Sequence, residues 1–416
     1  MASRGAMTHP LRVLHTADWH LGRSLCHHPR LQESQAFLSW LLDTLHDHAV
    51  DVLLVAGDVF DTTTPSPQAQ SLYYQFLAQV ALSPCRHVVI IAGNHDSPTL
   101  LDAPQSLLQA LNIHVVGTPS ASPDDEVILL SSNHGVPELL VCAVPYLRDR
   151  DIRAVEPGEA IEDKDIKRLA GIHQHYQAVA HVARQQQAAL HSPVPIIGMG
   201  HLFAAGGHTV EGDGVRDLYV GSLAHVPATL FPTCFEYVAL GHLHAPQSVA
   251  GNPCIRYAGS PFPMGFSDAN SPKSVCLIDL TAPTLSVTTL PIPISRRLAS
   301  VTGDWAAITT RLSELAHHTG PCWVEVIYQG DEWIGDLHER LVALTHATSL
   351  DIVRVKNMAT HMSPAMTPTH PLPDISTMGP DEVFQQCLQA HHIPESEWPG
   401  LWYTYHEALA SLSSQP

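Results

Sequence analysis

The residues best placed to do chemistry are aspartates, histidines and one asparagine that follow short apolar runs. Asp18-Trp19-His20 comes after Leu11–Thr16, and Gly57-Asp58-Val59-Phe60-Asp61 after Val52–Ala56. Gly93-Asn94-His95-Asp96 comes after His87–Ala92, Gly200-His201 after Pro195–Met199, and Gly241-His242-Leu243-His244 after Tyr237–Leu240. One Asp or His past a strand end is ordinarily a turn or cap residue. Five such ends in one chain argue for a shared site. In extended chain, residues two apart share a face, so Asp18 with His20, and His242 with His244, can each aim two groups at one point. A donor set of carboxylate, imidazole and amide without thiolate suits manganese, iron or zinc rather than a structural zinc. Two such cations about 3.5–4 Å apart stabilise both the attacking and the leaving oxygen of a phosphoryl transfer.

The elements that must position these residues read as alternating strands and helices. The runs Leu11–Thr16, Val52–Ala56 and His87–Ala92 are continuously apolar, as strands buried on both faces require. Between them, Leu31, Phe37, Leu38, Leu41, Leu42 and Leu45 recur at helical spacing, as do Leu72, Tyr73, Phe76, Leu77 and Val80. Further strands are expected at Leu139–Val144, Pro195–Met199, Tyr237–Leu240, Ile255–Ala258 and Val275–Leu280. In open α/β sheets, ligand sites form at the carboxyl ends of strands, where all five motifs fall. After Pro291-Ile292-Pro293 a smaller β-α-β-α-β pattern begins, with Asp304 as the expected N-cap of its first helix. The domain boundaries expected are 1–290 for the site-bearing domain, 295–360 for a small α/β module, 361–380 for a Pro-rich linker and 381–416 for a helical tail.

Composition narrows the possibilities. The chain has 416 residues, 45% of them hydrophobic, so a large core is available and global disorder is excluded. Its formal charge of −19 argues against a broad basic surface that grips nucleic acid. Positive charge at a phosphate site would then have to come from metal ions. Histidine is abundant, at 29 residues, which makes surface charge sensitive to pH. The eight cysteines include no C-x-x-C pair and read as reduced cytosolic thiols. No apolar signal core is expected in the first ten residues, nor a membrane span anywhere.

In order, D-x-H, G-D-x-x-D, G-N-H-D, G-H and G-H-x-H resemble the calcineurin-like metallophosphoesterase superfamily. Longer words narrow this to the SbcD family, the nuclease subunits of bacterial SbcCD complexes. They are His15-Thr16-Ala17-Asp18-Trp19-His20-Leu21-Gly22, Gly57-Asp58-Val59-Phe60-Asp61-Thr62, Val215-Arg216-Asp217, Ala239-Leu240-Gly241-His242-Leu243-His244 and Arg256-Tyr257-Ala258-Gly259-Ser260-Pro261. The resemblance is dense to residue 290 and thin beyond it.

The resemblance implies a sandwich of two sheets flanked by helices, a small α/β capping domain and a helical C-terminal tail. It implies one metal on Asp18, His20, Asp58 and His244, and a second on Asp58, Asn94, His201 and His242, with Asp58 bridging. Manganese is the ion implied first, with magnesium, iron and zinc as alternatives. His201 rests on a bare Gly-His, with His191 and His208 as competitors. His95 would protonate the leaving oxygen, and Asp61 would orient it. Arg23, Arg216 and Ser260 are candidate substrate contacts. The implied partners are DNA, an SMC-like coiled-coil ATPase of the SbcC type and a second copy of the chain, in the cytoplasm and at the nucleoid during action. The implied activity is duplex-end exonuclease and hairpin or single-strand endonuclease cleavage in break processing, recombination and replication. A phosphatase or small-substrate phosphodiesterase with the same metal site is the alternative enzyme, although Thr62 stands where a protein phosphatase has arginine. A fold kept only as a scaffold is the non-enzymatic alternative.

Overall fold

The computed structural model describes residues 11–153, 161–204, 226–281, 284–331, 334–358 and 398–413, together with positions 381, 383–385 and 388. Two six-stranded sheets form its centre. The first runs Thr284–Pro291, Ser274–Thr281, Leu11–Thr16, Val52–Ala56, His87–Ile91, Ile113–Val116. The second runs Gln247–Val249, Asn252–Tyr257, Tyr237–Gly241, Ile196–His201, Pro137–Ala143, Val127–Ser131. In the first sheet the strands from Leu11–Thr16 to Ile113–Val116 run parallel and the hairpin Ser274–Thr281 and Thr284–Pro291 joins antiparallel at one edge, whereas in the second the four inner strands run parallel and both edge strands are antiparallel.

The continuous apolar runs have a simple consequence. In Val52–Ala56, the side chains of Val52, Leu54 and Ala56 enter the layer between the sheets, where they meet Ile197, Met199 and Tyr237 of the second sheet. Leu53 and Val55 point the other way, towards Phe37, Leu41 and Phe76 of the helices Leu31–Asp47 and Pro67–Ala81. The second sheet is covered on its outer face by the helix Ile161–Ala189, through Ile172, Tyr176 and Val179. The order is therefore helix, sheet, sheet, helix. Each such aliphatic side chain contributes about 1.5–3 kcal/mol by burial. This layering brings the carboxyl ends of Leu11–Thr16, Val52–Ala56 and His87–Ile91 up to those of Ile196–His201 and Tyr237–Gly241.

A third sheet, Arg297–Gly303, Cys322–Tyr328 and Leu350–Asn357, is all parallel and carries the helices Trp305–Ala316 and Leu337–Thr345 on one face. Asp304 caps the first of these through Ala307 N–H at 2.8 Å. The module has its own core, including Ile308, Val324, Val326 and Leu341. It is tied to the helix Leu31–Asp47 by Arg296. That guanidinium lies 4.4 Å from the Trp323 ring centre and 3.5 Å from Glu33, which in turn holds the buried Arg30. The chain divides into two compact units, Met1–Ala359 and Thr360–Pro416. In the second unit the helix Trp398–Ser413 contains Pro399 in its first turn, where the missing N–H costs nothing. Phe384, Trp402 and Tyr405 form an aromatic cluster there, with Phe384 and Tyr405 stacked at 4.1 Å. Residues 361–380, expected as a linker, lie outside the described residues.

Candidate dinuclear metal site

Asp18, His20, Asp58, Asn94, His201, His242 and His244 meet at the seam between the two sheets, and all but Asn94 are buried. The backbone there is strained: Asp18, His20, Asp58 and His242 all have positive φ, at 53°, 45°, 50° and 104°. Non-glycine residues hold such angles only where surrounding structure enforces them, and they gather at functional sites. The enforcement is visible. Asp18 N–H donates to Gly57 O and His20 N–H to Asp58 O, each at 3.0 Å, so the first motif is fastened to the second. Gly93 lies so close to Asp58 that a Cβ would run into its carboxylate.

Three groups of side chains offer converging ligand atoms: Asp18, His20 and His244; Asp18, Asp58 and His201; and His20, Asp61 and His95. His20 Nε2 and His244 Nε2 are 3.1 Å apart. Two imidazole nitrogens at that distance need a proton or a cation between them. His201 donates from Nδ1 to Ala56 O at 2.9 Å, so its Nε2 faces Asn94 Oδ1 at 3.0 Å and Asp58 Oδ2 at 3.3 Å. Asn94 Oδ1 also lies 3.0 Å from His242 Nδ1. Asp18 accepts His242 N–H on Oδ1 at 2.9 Å, while its Oδ2 is buried with no hydrogen-bond partner. A buried carboxylate oxygen left alone is costly. These orphaned acceptors and facing nitrogens are what a bound cation would satisfy, so the donor set fits divalent metal.

The electrostatics agree. Burial pushes the Asp18 carboxyl well above its usual range, with the Asp58 charge adding to that. Burial acts on Asp58 in the same sense, but His201 and His20 outweigh it and hold Asp58 ionised. His201, despite burial, is raised to about 9 by Asp58 and Asp18. His242 falls to about 3 through burial and the neighbouring His201. Asp58 and Asp18 thus favour the charged form of His201. A site that raises a buried imidazole this far attracts positive charge.

His95 is anchored beside this cluster. Its N–H donates to Asp58 Oδ1 at 2.9 Å, and its Nδ1 donates to the Asp61 carbonyl at 2.8 Å. The expectation that Asp61 orients His95 through its carboxylate needs correction. The contact runs through its main-chain oxygen instead, because the carboxylate is occupied by Arg23 Nη1 at 2.9 Å and His20 Nδ1 at 3.2 Å. Either way His95 Nδ1 carries the proton and Nε2 is the working nitrogen. Arg23, held by Asp61, sits at the margin of the cluster with its side chain 17% exposed. Ser260, expected to touch substrate, has no exposed surface, and its hydroxyl contacts His244 O and Phe262 O behind the site. Arg216 lies outside the described residues. Asp96 braces the ligand-bearing loops from behind. It accepts Gly93, Phe60 and Val59 N–H at 2.8, 2.9 and 3.1 Å and so ties the second motif to the third.

Residues 11–246 match the calcineurin-like phosphoesterase family, and residues 295–392 match the type 5 capsule protein repressor C-terminal domain. The SbcD component of the SbcCD nuclease of Escherichia coli (strain K12) is 34% identical over 408 residues, 97% of this chain and 99% of that protein. The chain belongs to the SbcD family of calcineurin-like phosphoesterases. The SbcD protein of Rhodobacter capsulatus is 35% identical over 74% of this chain and 76% of its own. That of Bacillus subtilis is 34% identical over 65% and 66%. Family and fold are those the sequence motifs led one to expect, and membership makes the chain a hydrolase of phosphate ester bonds. No helix among the described residues is long and apolar enough to cross a membrane.

Proposed function

We propose that the chain is the metal-dependent DNA nuclease of an SbcCD-type complex, cleaving duplex ends exonucleolytically and hairpins or single strands endonucleolytically. The observation that carries this reading is the convergence of Asp18, His20, Asp58, Asn94, His201, His242 and His244 in one cluster, with Asp18 Oδ2 buried and unpartnered. Asp18, His20, Asp58 and His244 would hold one ion, and Asp58, Asn94, His201 and His242 the other, with manganese as the favoured metal. Bound there, two divalent ions supply an acidified water as nucleophile and a positive field for the phosphodiester. His95 lies alongside to protonate the leaving oxygen, and Asp61 fixes the tautomers of both His95 and His20. Arg23, held by Asp61 beside the cluster, would contact a neighbouring phosphate. This concentrates positive charge locally in a chain whose formal charge is −19.

In this reading residues 295–360 act as a capping domain that helps select DNA, and residues 381–416 dock an SbcC-type coiled-coil ATPase. The aromatic cluster of Phe384, Trp402 and Tyr405 supports the docking role, since such rings anchor partner helices. The working form is a cytoplasmic homodimer acting at the nucleoid in break repair, recombination and replication. The deciding experiment assays hairpin and blunt-ended DNA with Mn²⁺, with and without the ATPase. Cleavage of both substrates is expected. Hydrolysis of small phosphomonoesters with intact DNA would replace the reading by that of a phosphatase. Removing residues 375–416 should leave Mn²⁺-dependent cleavage of short DNA within a few-fold and abolish co-purification with the ATPase. Undiminished co-purification would move the docking surface elsewhere.

A further inference from the structure

We infer that Lys273, paired with Asp268, is a positioning residue that sets His244 for its metal ion. This rests on the metallophosphoesterase reading of the site and adds to it a group outside the ligand set. The ladder of the strand Tyr237–Gly241 with its parallel neighbour ends at Gly241, so His244 lies beyond the sheet and must be placed by something else. Its carbonyl is gripped by two donors, Lys273 Nζ at 3.0 Å and Ser260 N–H at 3.1 Å, while the Ser260 hydroxyl, 3.3 Å away, has Phe262 O nearer at 3.0 Å for its one proton. Lys273 Nζ also meets Ser260 Oγ at 3.0 Å and Asp268 Oδ2 at 2.8 Å. Both partners are buried, with side-chain exposures of 4% and 2%.

The surrounding loop is built for this grip. Gly259, at φ 78°, passes so close that a Cβ would stand 2.8 Å from His244 O and 2.7 Å from Pro246. No other residue fits without displacing the chain. Asp268 accepts Met264 and Gly265 N–H at 3.0 and 2.9 Å, which closes the loop upon itself. The pairing also solves an electrostatic conflict. A lone ammonium beside a divalent-cation site repels the metal, whereas an ammonium neutralised by Asp268 keeps its donor power at no net charge. A buried pair of this kind is weak evidence for stability by itself, but it fixes geometry. Groups that orient metal ligands typically contribute 10–100-fold to metal affinity.

The test uses the full chain and Mn²⁺ alone, followed by calorimetry and by electron paramagnetic resonance of the bound ion. The unaltered chain should bind two ions. Lys273→Met should bind one with unchanged affinity and the other about 10–100-fold more weakly. Asp268→Asn keeps its shape while exposing the site to the unneutralised ammonium. It should weaken the same ion, and it carries the test should Lys273→Met not fold. Glu126→Gln serves as the stability control. Glu126 is fully buried and pairs with His175 at 2.8 Å under the second sheet. That variant should melt earlier yet bind both ions as before. Two unaltered sites in either loop variant overturn the inference. So does equal weakening in Glu126→Gln, which would mean general loosening. An unaltered chain that binds no Mn²⁺ removes the metal reading itself, and the positioning role with it.

Discussion

Asp58→Ala is expected to bind neither metal ion and to cleave DNA no faster than the metal-free protein. Asp58 faces both halves of the cluster, with Oδ2 at 3.6 Å from His20 Nε2 and 3.3 Å from His201 Nε2. Its other oxygen accepts the His95 N–H at 2.9 Å, so the same side chain also seats the proposed acid. Removing it takes away a negative charge that would stand between two divalent ions, and their mutual repulsion then opposes double occupancy. The loss is specific to the site. His201 would lose the main partner that raises it to about 9 and should become an ordinary buried neutral imidazole. Its titration, followed by NMR in the metal-free protein, should therefore move down while the fold persists. Calorimetry with Mn²⁺ reads the metal itself. Two ions still bound to Asp58→Ala would show that the bridge lies elsewhere in the cluster.

The course of the sequence makes much of this legible, and for a physical reason. Continuous apolar strands such as Val52–Ala56 leave no ambiguity about burial on both faces, and a motif just past each strand end is confined to one edge of a sheet. What spacing alone does not give is the meeting of two separate sheets. Asp18, Asp58 and Asn94 come from one and His201, His242 and His244 from the other, and nothing local encodes that the edges abut. The helix Ile161–Ala189 escapes a reading by periodicity because its polar composition hides the 3.6-residue period. Ile172, Tyr176, Val179 and Ala183 reach the hydrophobic core, with Leu169 and Val182 beside it, while charged residues, Gln and His take up much of the rest. His175 bonds the buried Glu126, a contact 49 residues away that no local pattern can signal. Lys273 is hidden for the same reason: a lysine before a strand looks like a surface charge until Asp268 and the His244 carbonyl close around it. Asp61 shows the finer limit. The family resemblance implies a link from Asp61 to His95, yet only the structure reveals that the link is a carbonyl and that the carboxylate serves His20 and Arg23.

His95→Ala is expected to keep both ions and to lose cleavage by about 10²–10⁴-fold, the usual contribution of a well-placed general acid. The geometry separates the two effects. His95 belongs to a group with His20 and Asp61 whose atoms are close enough to hold a cation, so metal binding by His95 is a real competitor to acid catalysis. Its Nδ1, however, is committed to the Asp61 carbonyl, and its ring lies edge-on to His20 at 4.8 Å. That leaves Nε2 to face the substrate. A general acid matters most when the leaving oxygen is strongly basic, as the sugar hydroxyl of DNA is. It matters little when the leaving group is a stable anion such as nitrophenolate. The variant should therefore be crippled on DNA at saturating Mn²⁺ but hydrolyse bis-nitrophenyl phosphate within about tenfold of the unaltered chain, since proton donation supplies little there. Equal losses on both substrates, together with one ion missing by calorimetry, would make His95 a ligand. Cleavage of DNA at the unaltered rate would remove it from the mechanism and leave the proton to solvent.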